Sequence, residues 1–309
     1  MYWAVLAGIG ACTNAAYFIL NKKFLERANP YQLAASGFIA GGLFLLILSF
    51  LRGIPVIGPG FYGAVLVSAG TNVLCTVLIF RALSSSDISL SIPMLSFTPL
   101  FLVGTAALVL GEIPSGAGVL GIFIIVAGSY ILNTAEGHER ITDPFRAMVS
   151  HPAVLGMLIV AFLYSISINF DKIVLLNTDP YFGIGVDCLL IGLSFAVIAL
   201  LEWRGMLPAS LSPPAPARPE GNEEAVTPAS WAYLIGAGIV TGTLVTIESV
   251  SINSAFLLQI VPYVMAIKRM SIILVVLYGT LIFREKEITR RIAGAGLMVA
   301  GAALLILFP

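Results

Sequence analysis

Charged side chains inside long apolar runs are the residues of this sequence best suited to chemistry. Glu248 lies ten residues before the predicted turn near Leu258, and Lys268 lies ten residues after it. In an antiparallel helix pair, residues equally far from the turn reach a similar depth. A carboxylate and an ammonium at one depth could form an ion pair, bind a substrate that carries both charges, or carry a proton.

Two further charges fall in the same predicted layer. Arg269 is adjacent to Lys268, and Asp187 lies about six residues, or roughly 9 Å, into its own run from the same side. Asp187 is expected to be a lone acid there, and the four formal charges sum to zero. Two interpretations stay open: a structural cluster of ion pairs that holds helices together, and a site for a substrate or a coupling ion.

Uncharged polar side chains extend this candidate site into other apolar runs. Asn14 and Tyr17 are three residues apart and share one helix face. The other candidates are Tyr164, Ser167 and Asn169 in the matching run of the second half, together with Asn72 and Ser91. Together these residues could line a central cavity, whereas each one alone is also typical of helix packing or of the membrane interface.

Residue groupings typical of enzymes and metal centres are absent from the apolar runs. The histidines His138 and His151 share one polar stretch, and the cysteines Cys12, Cys75 and Cys188 are scattered without a CxxC pair. Neither an HExxH motif nor a GxxxxGK[ST] motif occurs in the sequence. We therefore expect no catalytic residue, no metal and no cofactor, and a gradient or exchange as the energy source.

The composition predicts a membrane protein. Of 309 residues, 59% are hydrophobic and 10% are charged, and the mean hydropathy is +1.01. A soluble protein needs about a quarter of its residues charged, so that class is excluded. A formal net charge of zero also leaves no basic surface for nucleic acid. The lipid bilayer and a small molecule are the expected partners.

Apolar runs of membrane-spanning length predict ten transmembrane helices. They lie near 2–20, 32–51, 60–82, 88–110, 116–133, 153–170, 181–202, 231–255, 260–283 and 291–308. Because these runs are continuous and do not alternate, they favour helices over barrel strands and predict an all-α membrane protein. No basic residue precedes the first run, which predicts a retained helix and not a cleaved signal.

An internal repeat divides the chain. An offset of 150 residues places Lys22 on Lys172, Pro30-Tyr31 on Pro180-Tyr181 and Gly42 on Gly192, and an offset of 173 places Ala82 on Ala255, Glu112 on Glu285, Gly121 on Gly294 and Gly128 on Gly301. The predicted units are 1–133 and 153–309, joined by a polar loop at 134–152, with a proline-rich loop at 207–230. Five helices in each unit predict an inverted-topology repeat.

Several junctions resemble those of EamA-type drug/metabolite transporters. The similar stretches are Leu110-Gly111-Glu112 followed by GAGVLGIFIIVAGSYIL, FREKEITRRIAGAGLMVAGAALLIL, NKKFLERANPY and DKIVLLNTDPY, with Ala82 and Ala255. The second-half junction departs from the pattern by reading Phe283-Arg284-Glu285 where the family form is Leu-Gly-Glu. The resemblance implies a ten-helix fold with two EamA repeats and a carrier of small molecules, without specifying the substrate.

These features predict a secondary transporter that works by alternating access. We expect amino acids or similar zwitterions as substrates, with export left open as the direction, and with Glu248 or Asp187 as a proton carrier. Alternatives are a nucleotide-sugar or other organic-anion or organic-cation exchanger of the same superfamily, and a non-coupled metabolite channel. A monomer and a homodimer both stay open.

Cations in the loops predict the orientation. Twelve lie on the side of the odd-numbered helix junctions and two to four on the other side. The positive-inside rule then places the first side in the cytoplasm and both termini outside the plasma (inner) membrane.

Overall fold

The computed structural model describes residues 1–53, 55–85, 92–134, 152–208, 230–283 and 288–308. These residues form eleven α-helices and one 3₁₀ helix, without a strand. In chain order the elements are α1 (Tyr2–Phe24), α2 (Pro30–Arg52), α3 (Phe61–Ser85), a 3₁₀ helix (Ile92–Phe97), α4 (Thr98–Val109), α5 (Gly116–Thr134), α6 (Pro152–Leu176), α7 (Pro180–Trp203), α8 (Trp231–Phe256), α9 (Val261–Lys268), α10 (Ser271–Phe283) and α11 (Ile288–Leu307). The all-α prediction is thus confirmed for the described residues.

Each of the ten predicted segments contains a helix. Within the described residues, eight stretches are long and apolar enough to cross a membrane, and Met94–Val109 and Gly116–Leu132 are shorter apolar helices. The chain is therefore a multi-pass membrane protein. Most of the proline-rich loop and of the polar loop lies outside the described residues, as do Ser91, His138, His151 and Glu285.

Two of the ten segments are interrupted, although Val261–Tyr278 of the ninth segment is apolar over a membrane-spanning length. The ninth segment breaks at Arg269 and Met270, between α9 and α10, and in the fourth a 3₁₀ helix precedes α4. The 173-residue offset places Thr98, the start of α4, on Ser271, the start of α10. The two interruptions therefore occupy equivalent positions in the two halves.

The helices pair across the halves. The main partners are α2 with α7 and with α8, α5 with α11, α3 with α6, and α1 with α8. Glycines permit the closest approach: a Cβ added to Gly128 of α5 would lie 2.6 Å from the Gly294 carbonyl oxygen, and one added to Gly301 would lie 2.7 Å from that of Gly121. The repeat-matched glycines thus face each other in one interface.

Matched side chains also begin the second helix of each half. The Asn29 carboxamide oxygen caps α2 by accepting from the Tyr31 backbone N–H, and the Asp179 carboxylate caps α7 by accepting from that of Tyr181, both at 2.9 Å. A proline follows each cap at the first helical position, where its missing N–H costs nothing. These caps fix where the paired helices α2 and α7 start.

The short helix α9 lies deep inside the bundle. Every residue from Val261 to Ile267 is buried, and Val264 and Ala266 are completely inaccessible. Burial of all seven residues shows that α9 is enclosed by the rest of the bundle and does not face lipid. Because α9 ends at Lys268, it delivers that ammonium group to the interior.

Candidate functional site

A cavity of about 320 Å³ lies between the two halves. It is lined by residues of α1, α2, α3, α6, α7, α8 and α9. Its polar lining consists of Asn14, Tyr17, Asn72, Tyr164, Asp171, Asp187, Cys188, Glu248, Ser249, Asn253 and Lys268. We call it the central cavity. Polar groups that converge in one cavity of an otherwise apolar bundle identify the candidate site.

An ion pair lies on one side of the central cavity. Lys268 Nζ is 2.6 Å from Glu248 Oε1, and the two side chains are 25% and 13% exposed. The Asn14 carboxamide donates to both Glu248 oxygens, at 3.0 and 3.2 Å. The C-terminal end of α9 also favours a cation at Lys268. The sequence correctly predicted that Glu248 and Lys268 lie at one depth.

Two carboxyl groups lie elsewhere on the lining. The Ser68 hydroxyl donates a short hydrogen bond to Asp171 Oδ1, and Asp187 lies on the same cavity lining as Asp171. Asp187 is 6% exposed, and its Oδ1 has no hydrogen-bond partner among the described residues. Asp187 is therefore not the lone acid that the sequence suggested.

Arg269 lies apart from this layer. Its Nη2 donates to the backbone carbonyl of Leu95 at 2.7 Å, and it is not part of the cavity lining. The break after Lys268 turns the two adjacent cations to different surroundings. The expected sum of zero must therefore be corrected: three carboxyl groups and one lysine line the cavity, a formal charge of −2 if all are ionised.

The other sequence candidates divide between the cavity and the helix packing. Asn14, Tyr17, Asn72 and Tyr164 line the cavity. Asn169 does not: it is fully buried, and its carboxamide donates to Thr105 Oγ1 at 3.0 Å and to the Ser165 carbonyl at 2.8 Å. The bond to Thr105 connects α6 with α4, and the bond to Ser165 lies within α6.

Asp171 is the charged lining residue that the sequence did not predict. The sixth predicted run ends near residue 170, whereas α6 continues to Leu176. Tyr164, Ile168 and Asp171 recur at intervals of four and three residues and therefore share one helix face, which was the available signal.

A second polar cluster connects the ends of several helices. Lys172 and Glu112 form a short ion pair, and Lys172 also donates to the Gln259 carbonyl at 3.2 Å. Glu112 accepts from the Val261 backbone N–H at 2.7 Å. We call this group the junction lock, because it joins the α4–α5 connection to the end of α6 and to the α8–α9 turn. It lies one residue along the chain from Asp171.

Comparisons with known proteins agree with this architecture. Residues 1–134 match the model of the EamA-like transporter family, which confirms the resemblance noted in the sequence. The match ends with α5. A solved structure described only as "Crystal structure of protein" has a TM-score of 0.74 at 18% identity and covers 99% of both chains, a likeness of fold alone. No curated protein matches the chain.

Proposed function

From the match of residues 1–134 to the EamA-like transporter family, we propose that this membrane protein is a transporter of small zwitterionic metabolites, amino acids first among them. The proposal includes a carrier mechanism in which the central cavity opens to one side of the membrane at a time. Binding and transport then use the same cavity.

The Glu248–Lys268 pair is the single observation that carries this proposal. Both charges line the central cavity and are mostly buried, and Asn14 donates to the Glu248 carboxylate. A bound zwitterion offers Glu248 an ammonium group in place of Lys268, and it offers Lys268 a carboxylate in place of Glu248. Neither side chain is then left unpaired in a poorly solvated site. A substrate carboxylate would bind Lys268, and an ammonium group would bind Glu248.

Three features of the bundle support alternating access. The pairs α3 with α6 and α1 with α8 exchange under the predicted repeat, and α2 with α7 and α5 with α11 map onto themselves, whereas the contact of α2 with α8 is larger than its counterpart, α3 with α7. Interrupted helices occupy matching positions in the two halves, as in transporters built from inverted repeats. The junction lock joins the two halves at the α4–α5 connection, the end of α6 and the α8–α9 turn. Opening the cavity towards that side of the membrane must therefore break the lock.

Three carboxyl groups against one lysine also favour a second candidate, an exchanger of organic cations. The same charges disfavour nucleotide sugars and other anions, because a carboxylate layer repels a phosphate. A non-coupled channel differs in its kinetics: it conducts without saturation and without counterflow.

The proposal retains the orientation that the loop cations predict, with both termini outside the plasma membrane and the junction lock on the outer side. A cysteine placed at Phe308 should then react with an impermeant reagent in intact cells. Reaction only after permeabilisation would reverse the orientation and assign the lock to the cytoplasmic side.

The function is tested in two steps. Thermal unfolding of the purified protein is first measured with each member of an amino-acid and amine set, and a ligand is identified by a raised Tm. Saturable uptake of that ligand into sealed proteoliposomes supports a carrier. Linear uptake without saturation contradicts it. Asn169→Ala is a matched comparison, because it removes a buried amide outside the cavity.

A further inference from the structure

The short helix α9 is fixed at its beginning by the first half of the chain. The Glu112 carboxylate accepts from the Val261 backbone N–H at 2.7 Å, and the N-cap residue Ile260 makes no side-chain capping bond. The next residue, Pro262, has no N–H to donate. Glu112 therefore supplies the acceptor that an N-cap side chain normally provides, and it holds this end of α9 at the junction lock.

A second contact with the first half lies on another face of α9. The Tyr263 hydroxyl accepts from the Ser115 backbone N–H at 2.9 Å and lies 3.1 Å from Ser115 Oγ. Tyr263 is 2% exposed, and its ring centroid is 6.4 Å from that of Trp3. Ser115 is itself held in place, because its Oγ accepts from the Gly118 backbone N–H at 3.0 Å and so caps α5. The tyrosine is thus bound to the start of α5.

A glycine of α5 makes room for this tyrosine. A Cβ added to Gly118 would overlap the Tyr263 hydroxyl and would lie 2.6 Å from the ring carbon Cε1. A Cβ added to Gly116, two residues earlier on the same helix, would have no atom within 4 Å. A methyl group at position 118 must therefore displace Tyr263, whereas one at position 116 need not.

Opposite faces of α9 connect the Tyr263 contact with the central cavity. Met265 and Lys268 are three residues apart, share one helix face and line the cavity. Tyr263 precedes Lys268 by five residues, which places the two side chains on roughly opposite sides of α9. Rotation of α9 about its axis would therefore move both side chains together.

The direction of the Lys268 ammonium depends on this rotation. A lysine carries its charge on a flexible side chain, and its reach is set by the position of the helix that bears it. The bond at the Val261 N–H holds one end of α9 but lies close to the helix axis, so it does not fix the rotation. The Tyr263 hydroxyl lies far from the axis and fixes it. Lys268 then faces Glu248, at 2.6 Å.

We propose that Tyr263 is a positioning residue for the substrate carboxylate, because its contact with Ser115 fixes the rotation of α9 and so holds Lys268 in the central cavity. Tyr263 is not part of the cavity lining, and it acts on a substrate only through Lys268. Its effect is thus specific for ligands that bear a carboxylate. The effect on substrate rests on the proposed function, whereas the position of Lys268 in the ligand-free protein does not depend on it.

Reactivity of the Lys268 amine, measured without substrate, tests the positioning. The full-length protein in lipid is treated with acetic anhydride, and acetylation of Lys268 relative to the exposed Lys23 is followed by mass spectrometry. Tyr263→Phe removes only the hydroxyl and loosens the pairing with Glu248, so it should speed this acetylation about two- to tenfold, the weight of one hydrogen bond. Tyr62→Phe is the control, because Tyr62 is 62% exposed, and it should change nothing. An unchanged rate in Tyr263→Phe overturns the proposal.

The two glycines of α5 repeat this test from the other side of the contact. Gly118→Ala displaces Tyr263 and should speed the acetylation of Lys268 as Tyr263→Phe does. Gly116→Ala adds the same methyl group on the same helix and should leave the rate unchanged. Equal rates in the two alanine variants overturn the proposal, also in the case that Tyr263→Phe does not fold.

Ligand selectivity distinguishes positioning from a general loosening of the bundle. The probes are leucine and isoamylamine, which is leucine without its carboxylate. Tyr263→Phe should weaken the binding of leucine about two- to tenfold and leave that of isoamylamine unchanged. Unchanged binding of leucine, or an equal loss for both ligands, contradicts the assigned role. If the unmodified protein does not bind leucine, that result counts against the proposed function, and the acetylation rates still decide whether Tyr263 positions Lys268.

Discussion

Arg269 of the second half donates a 2.7 Å hydrogen bond from Nη2 to the backbone carbonyl of Leu95 in the first half. Leu95 lies in the 3₁₀ helix before α4, and Arg269 lies at the break between α9 and α10. The same carbonyl also accepts from Thr98 Oγ1 at 2.9 Å. Interrupted helices leave carbonyl groups without their usual partner, and a guanidinium satisfies one of them here.

Removing this link should destabilise the bundle. A hydrogen bond that involves a charged group contributes about 1.5–3 kcal/mol, so Arg269→Met should lower the Tm measurably. Arg204→Met is the control, because Arg204 is exposed at the end of α7. Thermal unfolding in detergent gives both values. Equal Tm values for the two variants would show that the link contributes nothing.

Substitutions at two glycines of α11 distinguish the effect of helix packing on stability from the effect of helix propensity. A Cβ at Gly294 would lie 2.8 Å from the Gly128 carbonyl oxygen, whereas a Cβ at Gly296 would have no atom within 4 Å. Gly294→Ala should therefore cost about 1–3 kcal/mol through overpacking of the α5–α11 interface. Gly296→Ala should leave the Tm unchanged or raise it, since alanine is the better helix former. The reverse order of Tm values would contradict this interface.

The sequence predicted the positions of the helices better than the side-chain contacts between helices. Runs of apolar residues suffice to locate membrane-spanning helices, because the bilayer sets both their length and their composition. The depth match of Glu248 with Lys268 followed from counting outward from one turn. Equivalent positions in the two halves were also visible as residue matches, of which the facing glycines are an example.

Two features of the site could not be predicted by counting residues from a turn. Adjacency to Lys268 placed Arg269 in the predicted layer, but adjacent residues of a chain do not share a helix face, and Arg269 bonds the Leu95 carbonyl instead. Asp171 was overlooked because the end of α6 was set by hydropathy, which falls at a charged residue even when the helix continues. Its place on the same cavity lining as Asp187 depends on how two helices pack, which sequence spacing within one helix does not reveal.

The junction lock should control access to the central cavity. Native Cys188 lines this cavity and is 4% exposed, so it can report on opening once Cys12 and Cys75 are replaced by alanine. We expect the double variant Glu112→Gln, Lys172→Met to react faster with an impermeant thiol reagent. Substituting both partners avoids leaving one buried charge unpaired.

Arg52→Gln is the control for this measurement. Arg52 is exposed at the end of α2 and stacks over Tyr181, with its guanidinium carbon 4.9 Å from the ring centre, away from the cavity lining. Its loss should not change the rate at Cys188. If the lock variant and Arg52→Gln label at the same rate, the lock does not gate the cavity.

A double-substitution cycle distinguishes a structural ion pair from a substrate site. If Glu248 and Lys268 only hold the helices together, Glu248→Gln should lower stability, and adding Lys268→Met should restore both stability and transport. We expect instead that Glu248→Gln stays folded but loses accumulation, and that the double variant stays inactive. Full recovery of concentrative transport in the double variant would refute the functional role.

Counterflow in sealed proteoliposomes tests the central claim most directly. Vesicles are loaded with an unlabelled amino acid or amine that raises the Tm of the protein, and uptake of a trace of the labelled compound is followed. We predict a transient overshoot that saturates with substrate and is absent from Glu248→Gln vesicles. Uptake that rises without overshoot or saturation, and that Glu248→Gln leaves unchanged, would contradict a carrier with its binding site in the central cavity.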